Sequence, residues 1–251
     1  MFTRAKTQQE LAAMRESGKM LATVLAHLRG QTVPGITTKE LADIAAKELK
    51  SLGGEAPFLG YYGFPDVICI SVNDEVVHGI PSTTKIVQNG DIVSLDFGVK
   101  IKGMITDSAI SVIAGQSLSK RDEDLVKMTE RSMLAGIAAV HDGVRTGDIG
   151  AAVEQVLGKG GYGIVRDLVG HGVGHELHEE PNVPNYGRPN TGTRLVKDMT
   201  IAIEPMATLG TDKVYIAEDE WTILTQDGSR AAHFEHSVAI TEEGAEIITT
   251  L

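Results

Sequence analysis

One arrangement of apolar and punctuating residues occurs twice in this chain, and it constrains the fold more than any other feature. Leu11, Met14, Met20, Leu21, Leu25 and Leu28 recur at mostly helical spacing, and Gly30 after Arg29 predicts where that helix stops. A second helix is predicted to start at Thr37 or Thr38, with Thr37-x-x-Glu40 as its capping box, and to end at Gly53-Gly54. The same plan returns about 111 residues later, with a helix over Leu125 to His141, a stop at Asp142-Gly143, and a second helix from Thr146-Gly147-Asp148 to Gly160-Gly161. Aligning Val33 with Val144 brings the apolar phasing of the two copies together. Two copies are too few for a solenoid.

Runs rich in β-branched residues follow each helix pair: Val67 to Val72, Ile92 to Val99 and Met104 to Ile113, then Thr200 to Ile203, Trp221 to Leu224 and Phe234 to Ile240. Helix, helix, then antiparallel strands predicts an α+β fold in which one central sheet is covered by helices. Gly115-Gln116-Ser117 interrupts the pattern, so the expected organisation is a single domain with internal halves of about 1–115 and 116–251. A chain of 251 residues can bury a core of that size.

Charge and composition narrow the function. The net charge of −11, without a basic run, argues against broad nucleic-acid affinity. A single cysteine cannot form an intramolecular disulfide and favours a reducing compartment. The first twenty residues contain no apolar signal-peptide core, and no later run is long enough to span a bilayer, so the expected location is the cytoplasm.

Five residues carry the chemistry. Asp96 and Asp107 bracket a predicted hairpin, and a tip at Ile101-Lys102 would set the two carboxylates directly opposite each other on one face. Like charges placed that way need neutralising, and a divalent cation would do it; for either Asp alone, backbone hydrogen bonds or a Lys partner would serve. Glu204 closes the apolar run Met199 to Ile203 just before Pro205, and period-two alternation places His233, Glu235 and Ser237 on one face. Gly170 to Gly174 and the following His175 to His178 pack three histidines and three glycines into nine residues, and His171 is the candidate imidazole among them. His78, before Gly79-Ile80-Pro81, is a further candidate. Together Asp96, Asp107, His171, Glu204 and Glu235 form the ligand set of a carboxylate-rich two-metal hydrolase.

In this order these segments resemble the type I methionine aminopeptidases. The resemblance runs over nearly the whole chain, through Cys69-Ile70-Ser71-Val72-Asn73, His78-Gly79-Ile80-Pro81, Thr106-Asp107, Gly170-His171-Gly172-Val173-Gly174, His178-Glu179-Glu180-Pro181 and Glu204-Pro205-Met206 to Phe234-Glu235-His236. It implies the pita-bread fold, with pseudo-twofold halves around a curved antiparallel sheet. It also implies two divalent metal ions (Co, Mn, Fe, Ni or Zn) and a metal-bridged hydroxide as the nucleophile. Asp107 and Glu235 would bridge the ions, Asp96 would chelate one, and His171 and Glu204 would complete the other. By the same resemblance His178 contacts the scissile carbonyl, His78 lies near the scissile nitrogen, and Glu204 shuttles a proton to the leaving amine. Tyr61, Phe64, Cys69, Leu177 and Trp221 would line a pocket for the methionine side chain. Tyr62, His175 and Leu177 depart from the family pattern.

The implied activity is removal of the initiator methionine from nascent polypeptide N-termini with a small second residue, by a monomer in transient contact with the ribosome. It involves no direct nucleic-acid binding and no membrane. Two other readings stay open: a proline-directed aminopeptidase or dipeptidase of the same fold, which usually carries a large amino-terminal domain, and a non-catalytic peptide-binding relative. The zinc-finger extension of eukaryotic cytosolic forms and the helical insertion of type II enzymes are not present in this sequence. Because Phe2 is large, the same specificity predicts that Met1 is retained.

Overall fold

The computed structural model describes residues 2–251, so the expectation for Met1 lies outside the described residues. Among the described residues four α-helices occur in two pairs, α1 (Gln8–Gln31) with α2 (Thr38–Leu52) and α3 (Lys120–Ala138) with α4 (Thr146–Gly160). The strands of the first half are β1 (Ile68–Val72), β2 (Glu75–Val77), β3 (Ile92–Ile101) and β4 (Met104–Ile113). Those that follow α4 are β5 (Gly163–Ile164), β6 (Gly170–Gly172), β7 (Glu179–Val183), β8 (Thr200–Ile203), β9 (Met206–Thr208), β10 (Val214–Ile216), β11 (Ile223–Thr225), β12 (Ala231–His233), β13 (Glu235–Ile240) and β14 (Ala245–Ile247).

The main sheet runs β1-β3-β4-β13-β8-β6-β7, with β14 on β13, and its paired strands are antiparallel. It draws strands from both halves, and β4 against β13 is where they meet. Leu21, Leu25, Leu41 and Leu49 of α1 and α2 pack on Ile68, Ile70, Val93, Leu95 and Phe97, all buried. Met133, Ile137 and Ile149 of α3 and α4 pack on Ile201, Ile203, Val238 and Ile240. The odd-numbered residues of β3 therefore face α1 and α2, which turns Ser94, Asp96 and Gly98 to the other side of the sheet. The expected α+β architecture, a central antiparallel sheet covered by helices, is the one observed.

The two second helices end alike. Glu40 Oε2 accepts from Thr37 N at 2.8 Å, and Asp148 Oδ2 accepts from Arg145 N at 3.0 Å, so each α2 or α4 start is closed by an acid three residues on. Both helices stop at a left-handed glycine, Gly53 and Gly161. We propose on these matched ends that about 1–115 and 116–251 are two copies of one unit within a single domain.

Three expectations are corrected. The first helix carries through Gly30 to Gln31, and a second capping box, Thr7 with Glu10, starts it. The third begins at Lys120, ahead of Leu125, and ends at Ala138, short of His141. The hairpin turns at Lys102-Gly103, both with positive φ (51° and 79°), and not at Ile101-Lys102. A two-residue loop of that twist matches the flanking strands. Asp96 consequently pairs with Ala109 and Asp107 with Gly98, so the two aspartates are diagonal neighbours and not direct opposites. The displacement is an even number of residues, and both side chains keep the same face.

Candidate metal centre and active site

The face of β3 and β4 that carries Asp96 and Asp107 is held in register by side chains. Ser94 and Ser111, direct partners across the pair, bring their hydroxyls to 2.8 Å. Between β4 and β13 the backbone ladder covers Glu235 with Ala109 and His236 with Ser108. It then continues through a hydroxyl: Ser237 Oγ donates to the Asp107 carbonyl at 2.8 Å and accepts from Asp107 N at 2.9 Å. Ser108 Oγ donates to the Glu235 carbonyl at 2.5 Å. Asp107 and Glu235 are thus fixed against each other from both strands.

His171 is the middle residue of β6, and Gly170 lets it approach: a Cβ there would stand 2.4 Å from the Ala202 carbonyl oxygen. Its Nδ1 lies 2.9 Å from the Gly172 carbonyl, which can only accept, so Nδ1 carries the proton and Nε2 presents a lone pair. That lone pair is 3.3 Å from Glu204 Oε1 at the end of β8, where Asn185 Nδ2 donates to the Glu204 carbonyl at 3.0 Å. A lone pair and a carboxylate at that separation repel unless a cation or a proton lies between them.

All five sequence-chosen residues line the floor of one cleft, four of them buried and Glu204 partly so. Ligand atoms of Asp107, His171 and Glu235 lie within 4.8 Å of one another. Asp96 Oδ1, Asp107 Oδ1 and Glu235 Oε1 are buried with no hydrogen-bond partner, an arrangement that is destabilising for carboxylates without a cation. Burial pushes the Asp96 carboxyl up to about 7 and that of Glu204 up to about 8. Burial, and then the neighbouring charges, raise Asp107 and Glu235 well above the carboxylate range. Burial also lowers the His171 imidazole to about 3, leaving it neutral, the form that ligates metal. These residues fit a divalent cation on three independent grounds: the orphaned oxygens, the directed lone pair and the mutual crowding of negative charge.

Above this floor the open cleft runs between Phe58, Tyr61, Phe64, Cys69, Leu177 and Trp221. Phe64 and Trp221 meet edge to face with centroids 5.2 Å apart. Burial raises the Cys69 thiol well above its usual range, so it serves as a neutral, polarizable wall. His178 stands at the exposed mouth, with Nδ1 2.9 Å from the Tyr61 hydroxyl and its ring edge to face with His171. His78 adopts a left-handed backbone (φ 59°) before Gly79, where a Cβ would meet the Ile70 carbonyl oxygen at 2.3 Å, and it too lines the cavity. Burial lowers its imidazole to about 4.

Of the three departures from the family pattern, Leu177 forms part of the cavity wall. Tyr62 is 87% exposed beside Tyr61. His175 points away, its Nε2 2.7 Å from Glu10 Oε1. Sequence reasoning missed Phe58 in the wall, the clamp role of Ser237 and the position of His233, which is buried with its Nε2 3.6 Å from Glu204 Oε2. The alternation of His233, Glu235 and Ser237 was the available signal for the last two.

Residues 12–242 match the model of metallopeptidase family M24. A methionine aminopeptidase of Bacillus subtilis is 43% identical over 97% of this chain and 98% of its own length. The crystal structure of a methionine aminopeptidase from Thermotoga maritima superposes with a TM-score of 0.98, at 42% identity, covering all of both chains. A prolidase from Pyrococcus furiosus, at 22% identity and a TM-score of 0.79 over 98% of this chain and 65% of its own, shares the fold. The pita-bread architecture is therefore common to all of these. With a full-length match in sequence, a near-complete match in structure and a buried carboxylate and imidazole cluster at its centre, the chain belongs to metallopeptidase family M24.

Proposed function

We propose that this protein is a metal-dependent methionyl aminopeptidase that removes the initiator methionine from nascent proteins and peptides with a small second residue. The observation that carries the reading is the floor of the cleft. Three orphaned carboxylate oxygens and one directed imidazole lone pair converge beneath an aromatic, sulfur-containing wall.

Asp107 and Glu235 would hold both of two divalent ions, Asp96 would hold one of them, and His171 and Glu204 would hold the other. An oxygen-rich set with one imidazole suits Mn, Fe or Co, with Ni and Zn also accommodated. When bound, such ions polarise the scissile carbonyl and make water acidic enough to react near neutral pH. The chain's own groups do the rest. Tyr61 donates its hydroxyl hydrogen to His178 Nδ1, which leaves Nε2–H to hydrogen-bond the scissile carbonyl oxygen. His78 orients the scissile nitrogen, and Glu204 receives a proton on its carboxylate and delivers it to the leaving amine. The methionine thioether packs against Cys69 and the rings of Tyr61, Phe64 and Trp221, with Leu177 beside them.

Among the described residues no helix is long and apolar enough to cross a membrane. We place the protein in the cytoplasm, as a monomer that meets nascent N-termini in transient contact with the ribosome and binds no nucleic acid of its own. Metal-reconstituted protein is expected to release Met from Met-Ala-Ser faster than it cleaves Ala-Pro or Xaa-Pro-Xaa peptides. Faster cleavage of the proline peptides would favour the proline-directed reading, and peptide binding without turnover would favour a non-catalytic one.

A further inference from the structure

His233 is 1% exposed, and neither of its ring nitrogens has a hydrogen-bond partner. A neutral imidazole always carries one N–H, so the residue buries an orphaned donor, which folded proteins seldom do without use. Its placement is not accidental. Ser111 Oγ donates to the His233 carbonyl at 2.9 Å and accepts from His233 N at 2.8 Å, tying the residue to the strand face that carries Asp107. Glu204 Oε2 lies 3.6 Å from its Nε2, while the other oxygen of that carboxylate, Oε1, lies 3.3 Å from His171 Nε2. Glu204 therefore stands between two imidazoles, with one oxygen toward each.

We infer that His233 is a positioning residue for Glu204: when metal occupies the site, its Nε2–H closes the 3.6 Å gap and donates to Oε2, and so directs Oε1 toward His171 and the metal centre. This rests on the metal reading above. The two histidines divide the work by tautomer. His171 has its proton on Nδ1, held by the Gly172 carbonyl, and offers a lone pair. His233 has its proton on Nε2 and offers a donor, so it acts through Glu204 without ligating. An outer partner that fixes a ligating carboxylate contributes to metal affinity as well as to turnover.

The test is Co(II) titration of metal-free parent, H233L and H233Q, followed by calorimetry and by the visible absorption of bound Co(II). H233L, which removes the donor, is expected to bind Co(II) about 10- to 100-fold more weakly, with an altered visible spectrum, and H233Q, whose amide can still donate, to stay within about 3-fold of the parent. Metal-free H233L is expected to melt at or above the parent temperature, because it discards an unpaired buried N–H. The inference is overturned if H233L matches the parent in affinity and spectrum, if H233Q loses as much as H233L, or if metal-free H233L melts well below the parent. A parent that binds no Co(II) overturns the metal reading itself and this inference with it, an outcome distinct from the other three.

Discussion

Ser237→Ala tests how the two halves of the sheet hold Asp107 and Glu235 against each other. The hydroxyl of Ser237, fully buried, both donates to the Asp107 carbonyl and accepts from its N–H, where a backbone ladder between β4 and β13 would otherwise continue. Removing it leaves one buried donor and one buried acceptor without partners, at about 1–2 kcal/mol each, or about 2–4 kcal/mol in total. For a chain of this length that corresponds to a melting temperature lower by about 5–15 °C. The assay is thermal unfolding of metal-free protein, with Ser237→Thr as the control that keeps the hydroxyl. Co(II) affinity is expected to fall alongside, since Asp107 loses the clamp that sets it against Glu235. A shift of less than about 1 °C would refute the argument, because two newly unpaired buried backbone groups cost more than that corresponds to.

Three further outcomes follow from the same geometry. Asp96→Asn relieves charge crowding on the floor, so metal-free protein should melt no lower than the parent at pH 8, while Mn(II) binding measured by calorimetry weakens by more than the about 10–100-fold of an outer-shell change. Without metal, stability should fall as pH rises from 6.5 to 8: Asp96 and Glu204 have folded values raised to about 7 and about 8, so the folded state holds protons that the unfolded chain has already lost. His78 and His171, lowered to about 4 and about 3, act in the opposite direction, but their contribution is complete above the unfolded histidine value and is lost only as pH drops below it. Melting curves in EDTA across that window, with and without Mn(II), read the slope, which bound metal should flatten. Lys6→Met strands Glu179, its partner at 3.2 Å with both side chains essentially inaccessible, and should cost about 3–5 kcal/mol in urea unfolding. Lys6→Met with Glu179→Gln should recover more than half, because Gln still accepts from His175 N and Glu176 N.

What could be read from the sequence was what local pattern and charge encode. The Thr37 and Glu40 cap and the Gly53 and Gly161 stops need only neighbours in the chain, and they were legible. The start of α3 was not, because Lys120 to Asp124 is a polar turn that apolar periodicity does not register, although its acidic first turn suits a helix N-terminus. Asp96 and Asp107 were placed on the correct face but in the wrong register, since face depends on parity and register on turn geometry, which Gly103 governs. The five floor residues could be chosen because a charge inside an apolar run is conspicuous. Phe58 could not, and for His233 and Ser237 the alternation marked the face they share with Glu235 but not their roles, which arise where strands distant in sequence converge: His233 matters only once the end of β8 brings Glu204 to it.

The central claim is that Asp96, Asp107, His171, Glu204 and Glu235 hold two metal ions beneath the methionine pocket. Crystals of Mn(II)-loaded protein, measured at wavelengths either side of the manganese absorption edge, test it most directly. The account expects two anomalous peaks about 3.5–4 Å apart, both in contact with Asp107 and Glu235, one also with Asp96 and the other with His171 and Glu204. Peaks away from this floor, or an ion bound without either bridging carboxylate, would contradict it.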